Sequence, residues 1–136
     1  MQKPDPNKVF FICPVRNASE EIKRENADYV KKLEDAGYEI YWPARDTDQN
    51  DLLLGGMRIC SDNRRAMIPC GQVHIWYDKS SSGSIFDLGM FFMLLEICDF
   101  RKFVIANKDE VRPTPHKSFE NVLLALEKDY NRMPQK

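Results

Sequence analysis

The sequence predicts an α/β fold in which one parallel sheet of four to five strands lies between two layers of helices. Three observations carry that expectation. Short apolar runs rich in β-branched and aromatic residues alternate with longer segments of helical periodicity, the order that produces parallel sheets. The first run, Lys8-Val9-Phe10-Phe11-Ile12-Cys13, is apolar at consecutive positions after Lys8, as a strand covered on both faces must be. A length of 136 residues with no internal repeat suits a single domain with a single core, spanning 1–136.

Taken in order, residues 1–7 are polar, hold Pro4 and Pro6, and read as a loose arm. Pro14 ends the first strand. Val15-Arg16-Asn17-Ala18-Ser19 leads into the first helix, with Asn17 or Ser19 as its N-cap and Glu20 and Glu21 suited to the helix dipole. Ile22, Ala27, Val30, Leu33 and Ala36 recur at helical spacing up to Gly37, a C′ residue. Tyr38 to Trp42 is the second strand, stopped by Pro43. Residues 44–52 are polar and aspartate-rich, a surface loop placed to act as a lid. Leu53 to Ile68 reads as a helix whose first turn Gly55-Gly56 would break, closed by Pro69-Cys70-Gly71. Val73 to Tyr77 is the third strand, Gly83 to Cys98 a long apolar helix, and Lys102 to Ala106 the fourth strand. Residues 107–117 are polar, with Pro113 and Pro115. Ser118 caps a last helix from Phe119 to about Arg132, with Val122, Leu123, Leu126 and Tyr130 on its apolar side.

Composition narrows the function. Hydrophobic content of 43% and charged content of 30% are ordinary for a globular chain. A formal net charge of -1 gives no support to binding of a nucleic-acid polymer or a membrane surface. The opening Met1-Gln2-Lys3-Pro4-Asp5-Pro6 lacks a basic-then-apolar leader, and the longest apolar run, Leu88 to Cys98, is interrupted by Glu96. No membrane span and a cytoplasmic location are therefore expected. Cys13, Cys60, Cys70 and Cys98 form no CxxC pair, and His74 and His116 stand apart from them. The cysteines read as free thiols, and no metal or redox cofactor is implied.

The stretch with chemical promise is Ser80-Ser81-Ser82-Gly83-Ser84-Ile85-Phe86-Asp87-Leu88-Gly89. Small residues at a helix start leave backbone N–H groups open to an anion. Asp87, one turn in, can lean back toward the same mouth. Each residue also has an ordinary explanation. Asp87 would be stabilised by the helix dipole by about 0.3–1 kcal/mol. Ser81 and Gly83 would form a flexible connection, without the lysine of a Walker loop. Asp62 would be a solvated residue among Arg58, Arg64 and Arg65. Arg16 would be a solvated loop residue, though one well placed to pair with a phosphate. Trp42, Trp76 and the phenylalanine-rich helix read as core, and His74 as a packed, hydrogen-bonded strand residue. If the first and third strands are neighbours, the Pro14–Ser19 and Ser80–Gly83 loops face each other across one crevice at the carboxyl ends of the strands.

These residues have a familiar order. The apolar strand ending in Cys13-Pro14-Val15-Arg16, the flanks Gly37 and Pro43 of the second strand, and Gly83-Ser84-Ile85-Phe86-Asp87-Leu88-Gly89 together resemble the nucleoside 2-deoxyribosyltransferase-like superfamily, including its nucleotide N-glycosidase branch. The resemblance covers roughly residues 8–106 and rests on motif order and spacing. It implies a flavodoxin/Rossmann-like three-layer domain, no cofactor, a small-molecule nucleotide or nucleoside as ligand, and pairing into a homodimer.

The resemblance also implies a retaining attack on a glycosidic bond. A carboxylate attacks C1′ of the sugar, the base leaves, and water or a second base resolves the glycosyl-enzyme. Asp87 matches the family nucleophile, and Asp62 falls near the family's second acid, which assists the leaving base. Ser81, six before Asp87, matches the serine that holds a 5′-phosphate in the hydrolysing branch. Pro14, Val15, Arg16, Gly83 and Ser84 complete the expected substrate-binding set. Two residues depart from the pattern. Aspartate replaces glutamate at 87, withdrawing the carboxylate by roughly 1.5 Å, when misplacement near 1 Å can cost on the order of a hundredfold in rate. Phe11 stands where the family has a tyrosine beside the nucleophile. The alternative is thus a nucleotide-binding module of the same fold without turnover. A receiver-type signalling domain would need an acidic cluster after the first strand, which Cys13-Pro14 does not supply.

Overall fold

A computed structural model of the chain describes residues 3–131. The elements run β1 (Asp5–Ile12), α1 (Glu20–Asp35), β2 (Glu39–Tyr41), α2 (Pro43–Asp46), α3 (Met57–Met67), β3 (Cys70–Ile75), α4 (Ser82–Ile97), β4 (Lys102–Ile105), a 3-10 turn (Lys108–Glu110) and α5 (Phe119–Tyr130). The four strands form one sheet in the order β2-β1-β3-β4, every neighbouring pair parallel. The fold is the expected α/β class, with four strands.

The alternation of side chains along a strand divides the core in two. Val9, Phe10, Phe11 and Ile12 of β1 are all fully buried. Phe10 and Ile12 join Val73, Ile75, Phe103 and Ile105 beneath Met67 of α3, Leu88, Phe91 and Leu95 of α4, and Leu123 and Leu126 of α5. Val9 and Phe11 face the other way, against Val30, Tyr29 and Leu33 of α1. Each fully buried side chain of this size contributes roughly 1.5–3 kcal/mol, so the two layers clasp β1 from both sides.

Several boundaries differ from expectation. Asp5 to Asn7 belong to β1 and not to a loose arm: Asp5 pairs with Cys70, and its amide donates to the Pro69 carbonyl at 2.9 Å. The same pairing moves the start of β3 forward to Cys70, where a closing turn was expected. Gly71 permits it, since a Cβ there would lie 2.5 Å from the Asp5 carbonyl oxygen and 2.7 Å from Pro6 Cα. Pro43 does more than stop β2. It opens the one-turn helix α2, where its fixed φ and missing N–H suit a first helical position. Helix α3 starts only at Met57, because Gly55 and Gly56 have φ of 60° and 104°, left-handed values that interrupt a right-handed helix. Ser19, not Asn17, caps α1, accepting from the Ile22 amide at 3.1 Å. Arg132, the expected end of the last helix, lies outside the described residues.

Candidate functional site

The chain passes from β1 to the edge strand β2 and returns to β3 on the other side of β1. Ile12 and Ile75 are register partners at the carboxyl ends. The connections leaving β1 and β3 diverge there, and a reversal of strand order is where an open α/β sheet presents a crevice. A cleft of about 560 Å³ opens at this point, walled by the loop after β1, the approach to α3 and its first turns, and the Ser80–Asp87 segment.

One wall is built by the start of α4. The Ser81 hydroxyl accepts from the Ser84 amide at 3.3 Å and shares a 2.8 Å hydrogen bond with the Ser84 hydroxyl. Behind it, the Ser81 amide donates to the Asp78 carbonyl at 3.0 Å, and Asp78 Oδ1 accepts from the Ser80 amide at 2.9 Å. The Ser82 and Gly83 amides, the next two in the helix, form no hydrogen bond among the described residues. They carry the positive end of a 16-residue helix into the cleft. Arg16 stands at the lip, exposed, its Nη2 donating to the Gln49 carbonyl at 3.4 Å.

Asp87 lies one turn into α4 and lines the same cleft while being only 9% exposed. Its carboxyl has no hydrogen bond or ion pair among the described residues. Burial alone pushes its pKa up to about 7, since removal from water disfavours the anion and no donor offsets the loss. Cys13 enters the cleft from the end of β1 and accepts from Trp42 Nε1 at 3.1 Å. Burial first, and the nearby Asp87 charge in the same direction, push its thiol to about 12 against the Trp42 hydrogen bond. It is therefore a neutral thiol beside the carboxyl.

The structure thus brings Val15, Arg16, Ser81, Gly83, Ser84 and Asp87 to one cavity. Pro14 is buried and does not line it; its part is to turn the chain out of β1. Asp62 does not line it either. On α3 the cleft-facing positions are Ile59, Cys60 and Asn63, and a helix turns by about 100° per residue. Asp62 is carried round to the flank, where its carboxylate meets Arg58 at 2.7 Å and Arg65 at 3.6 Å. Phe11 is wholly buried against Tyr29, ring centroids 5.1 Å apart, on the α1 side of the sheet. His74 is buried and hydrogen-bonded, as expected of a core histidine.

Among the lining residues absent from the expected set, Asn63 and Asp51 carry polar side chains with defined partners. Asn63 is 6% exposed, its Oδ1 accepting from the Thr47 hydroxyl at 2.8 Å; Thr47 is in turn 2.5 Å from the Tyr41 hydroxyl. No local pattern announces that chain, because its members come from β2, the loop after α2, and α3. Asp51 Oδ2 accepts from the Gly56 and Arg58 amides, both at 2.9 Å. Desolvation pulls its pKa up, but the amide hydrogen bonds outweigh it and hold the carboxyl below the usual value. An aspartate shortly before a Gly-Gly break and a helix is a readable capping signal.

A second cleft, of about 600 Å³, lies near the start of α1, past Lys79. Glu21, Glu25, Asp78, Glu110 and Glu120 outnumber Lys79 and Arg112 there, an acidic balance that repels a phosphate. Among the described residues no group of three His, Cys, Asp or Glu could hold a metal ion. No helix among them is long and apolar enough to cross a membrane. No family model matches the chain, and no curated protein matches it in sequence.

Proposed function

We propose that the cleft between β1 and β3 binds a nucleoside 5′-monophosphate and that Asp87 attacks C1′ of its sugar, breaking the N-glycosidic bond. One observation carries the reading: a nine-tenths-buried carboxyl with no partner shares a cavity with the unpaired amides of a helix start. The phosphate would take the Ser82 and Gly83 amides and the Arg16 guanidinium, which suit its charge and geometry. That anchor leaves the sugar near Asp87, one helical turn away. In its ionised form the carboxylate is a nucleophile for an oxocarbenium-like centre, and water resolves the ester that forms. The resemblance noted above suggests the reaction class, and the unpartnered carboxyl and amides of the cleft support it.

A second reading is favoured by the position of Asp62. A departing base is helped by a proton donor, yet Asp62 is held by Arg58 and Arg65 outside the cleft, and Asn63 faces inward instead. Asp51 is tied to backbone amides. A cleft with one free carboxyl suits a nucleotide-binding module with slow turnover or none.

Incubation with a panel of ribo- and deoxyribonucleoside 5′-monophosphates, with free base followed by chromatography, separates the two. Base release abolished by Asp87→Ala is the expected result for the enzyme, and release unaffected by that change overturns the role of Asp87. Thermal stabilisation by a nucleotide without any base release selects the binding module.

Pairing of two copies belongs to the same proposal and has its own support in helix α4. Phe86, Gly89, Phe92, Met93, Glu96 and Ile97 occupy one arc of it, and all are exposed, Met93 by 63% and Ile97 by 64%. At 150–250 Å² per large side chain, Phe86, Phe92, Met93, Ile97 and neighbouring Ile68 expose roughly 500 Å² of apolar surface. Two copies facing each other would bury about 1,000 Å², the lower limit for a stable interface. Gly89 lies in the middle of this arc, and a Cβ there would meet nothing within its own chain. A mid-helix glycine costs about 1 kcal/mol relative to alanine, which a close helix–helix crossing would explain.

A further inference from the structure

We infer that Asn63 holds the base of the bound nucleotide, its side-chain amide donating to an acceptor on the base edge, a ring nitrogen or a carbonyl oxygen. The inference rests on the reading of the cleft as a nucleotide site and deepens it. Asn63 is nine-tenths buried and lines the cavity. Its oxygen is already taken: the Thr47 hydroxyl donates to Oδ1 at 2.8 Å, and the Tyr41 hydroxyl, 2.5 Å from Thr47 Oγ1, supplies the proton that Thr47 accepts. That chain turns the amide so that Nδ2 and its two hydrogens are directed away from Thr47. Nδ2 donates to no group among the described residues. Among the described residues, the side-chain atoms that are enclosed without a partner are Asn26 Oδ1 and Arg101 Nε, so Nδ2 of Asn63 opens onto the cleft and keeps its donors free for what enters it. A ligand acceptor at this point would replace water on a donor whose direction the Thr47 and Tyr41 hydroxyls already fix. Ile59, one turn before Asn63 on the same cleft-facing side of α3, adds an apolar wall of the kind a planar base packs against.

The placement has a consequence for the reaction. As the C1′–N bond breaks and the bond from C1′ to the Asp87 carboxylate oxygen forms, the electron pair of the broken bond departs on the base. An amide hydrogen-bonds that developing charge but does not surrender a proton, so the base leaves as an anion and takes its proton from water afterwards. Water then opens the ester, returning the carboxylate and the free sugar phosphate. Asn63 thereby selects bases that carry an acceptor at their edge and tolerate departure as a delocalised anion.

The test compares two ligands in the full chain by calorimetry: the tightest-binding of the common nucleoside 5′-monophosphates, and ribose 5-phosphate, which has the same anchor but no base. Asn63→Ala and the near-isosteric Asn63→Asp are expected to weaken the nucleotide about five- to tenfold and leave ribose 5-phosphate within about twofold. Thr47→Val, which frees the amide to turn, is expected to give a smaller loss in the same direction. Equal losses for both ligands, or no loss for the nucleotide, overturn the role of Asn63 while leaving the cleft reading in place. If the wild-type protein binds neither ligand, the cleft reading falls and this inference falls with it.

Discussion

Tyr29 Oη and His74 Nδ1 lie 2.6 Å apart on the α1 side of the sheet. His74 Nε2 is 2.9 Å from Gln72 Oε1, and Gln72 Nε2 donates to the Pro6 carbonyl at 2.8 Å. An amide oxygen only accepts, so His74 carries its proton on Nε2 and its Nδ1 accepts from the tyrosine hydroxyl. Burial, with the Lys102 charge second, pushes the imidazole pKa down to about 3. The unfolded chain titrates near its ordinary 6.5, so the stability contributed by neutral His74 is complete above that pH. It drains away as the pH falls from 6.5 toward 3. Tyr29→Phe leaves Nδ1 without its donor and is expected to lower stability at pH 7 by about 1–3 kcal/mol. Thermal melts of the two proteins at pH 7 check it, and coincident curves would count against the chain of bonds.

Asp87 shifts stability in the opposite sense. Its folded pKa, about 7, lies above the ordinary 3.8, so the native protein keeps a proton that the unfolded chain releases. The advantage is complete below 3.8 and is lost as the pH rises to 7, at most about 4 kcal/mol in all. Asp87→Asn removes the need to bury a charge. It is expected to raise the melting temperature at pH 8 by about 5 °C or more and to do little at pH 4. An equal shift at both pH values would show that the carboxyl is not desolvated in the way described.

Under the proposed reaction, the same titration would set the pH profile. A nucleophilic carboxylate must be ionised, so kcat/KM for base release is expected to rise about tenfold per pH unit below 7 and to level off above it. A profile already flat from pH 5 upward would assign the nucleophile to another group.

Gly71→Ala tests the seam between β1 and β3. The added Cβ would fall 2.5 Å from one backbone atom and 2.7 Å from another, neither of which can turn aside as a side chain does. A loss of about 1–3 kcal/mol is expected, with faster hydrogen exchange at the Asp5 amide. Wild-type stability in this variant would mean that the strands do not approach so closely at their amino ends.

Pairing through α4 is tested by light scattering on the wild-type chain and on Met93→Glu. A mass near twice that of the 15.9 kDa chain, falling to one copy in the variant, is the expected pair of results. Gly89→Ala adds a sharper readout: it should raise the stability of a free helix face but weaken association where two helices cross. A wild-type chain that stays monomeric at high micromolar concentration excludes the pairing.

The sequence alone determined the strands and helices whose periodicity is local. The unbroken apolar run of β1 required cover on both faces, Ser118 announced the start of α5, Ser19 was one of two candidate caps for α1, and the Ser80–Asp87 segment showed a carboxyl one turn into a helix start. Tertiary structure decided what depends on neighbours distant in the chain. The start of β3 at Cys70 depends on Asp5 lying across Gly71. Which of two adjacent residues, Asp62 or Asn63, faces the cleft depends on the rotation of α3 about its axis, and that rotation is set by Met67 packing into the core beneath it. A helix read in isolation has a period but no absolute phase, and only packing against the sheet supplies the phase. For the same reason the burial that raises the Asp87 pKa is a property of the assembled walls around it.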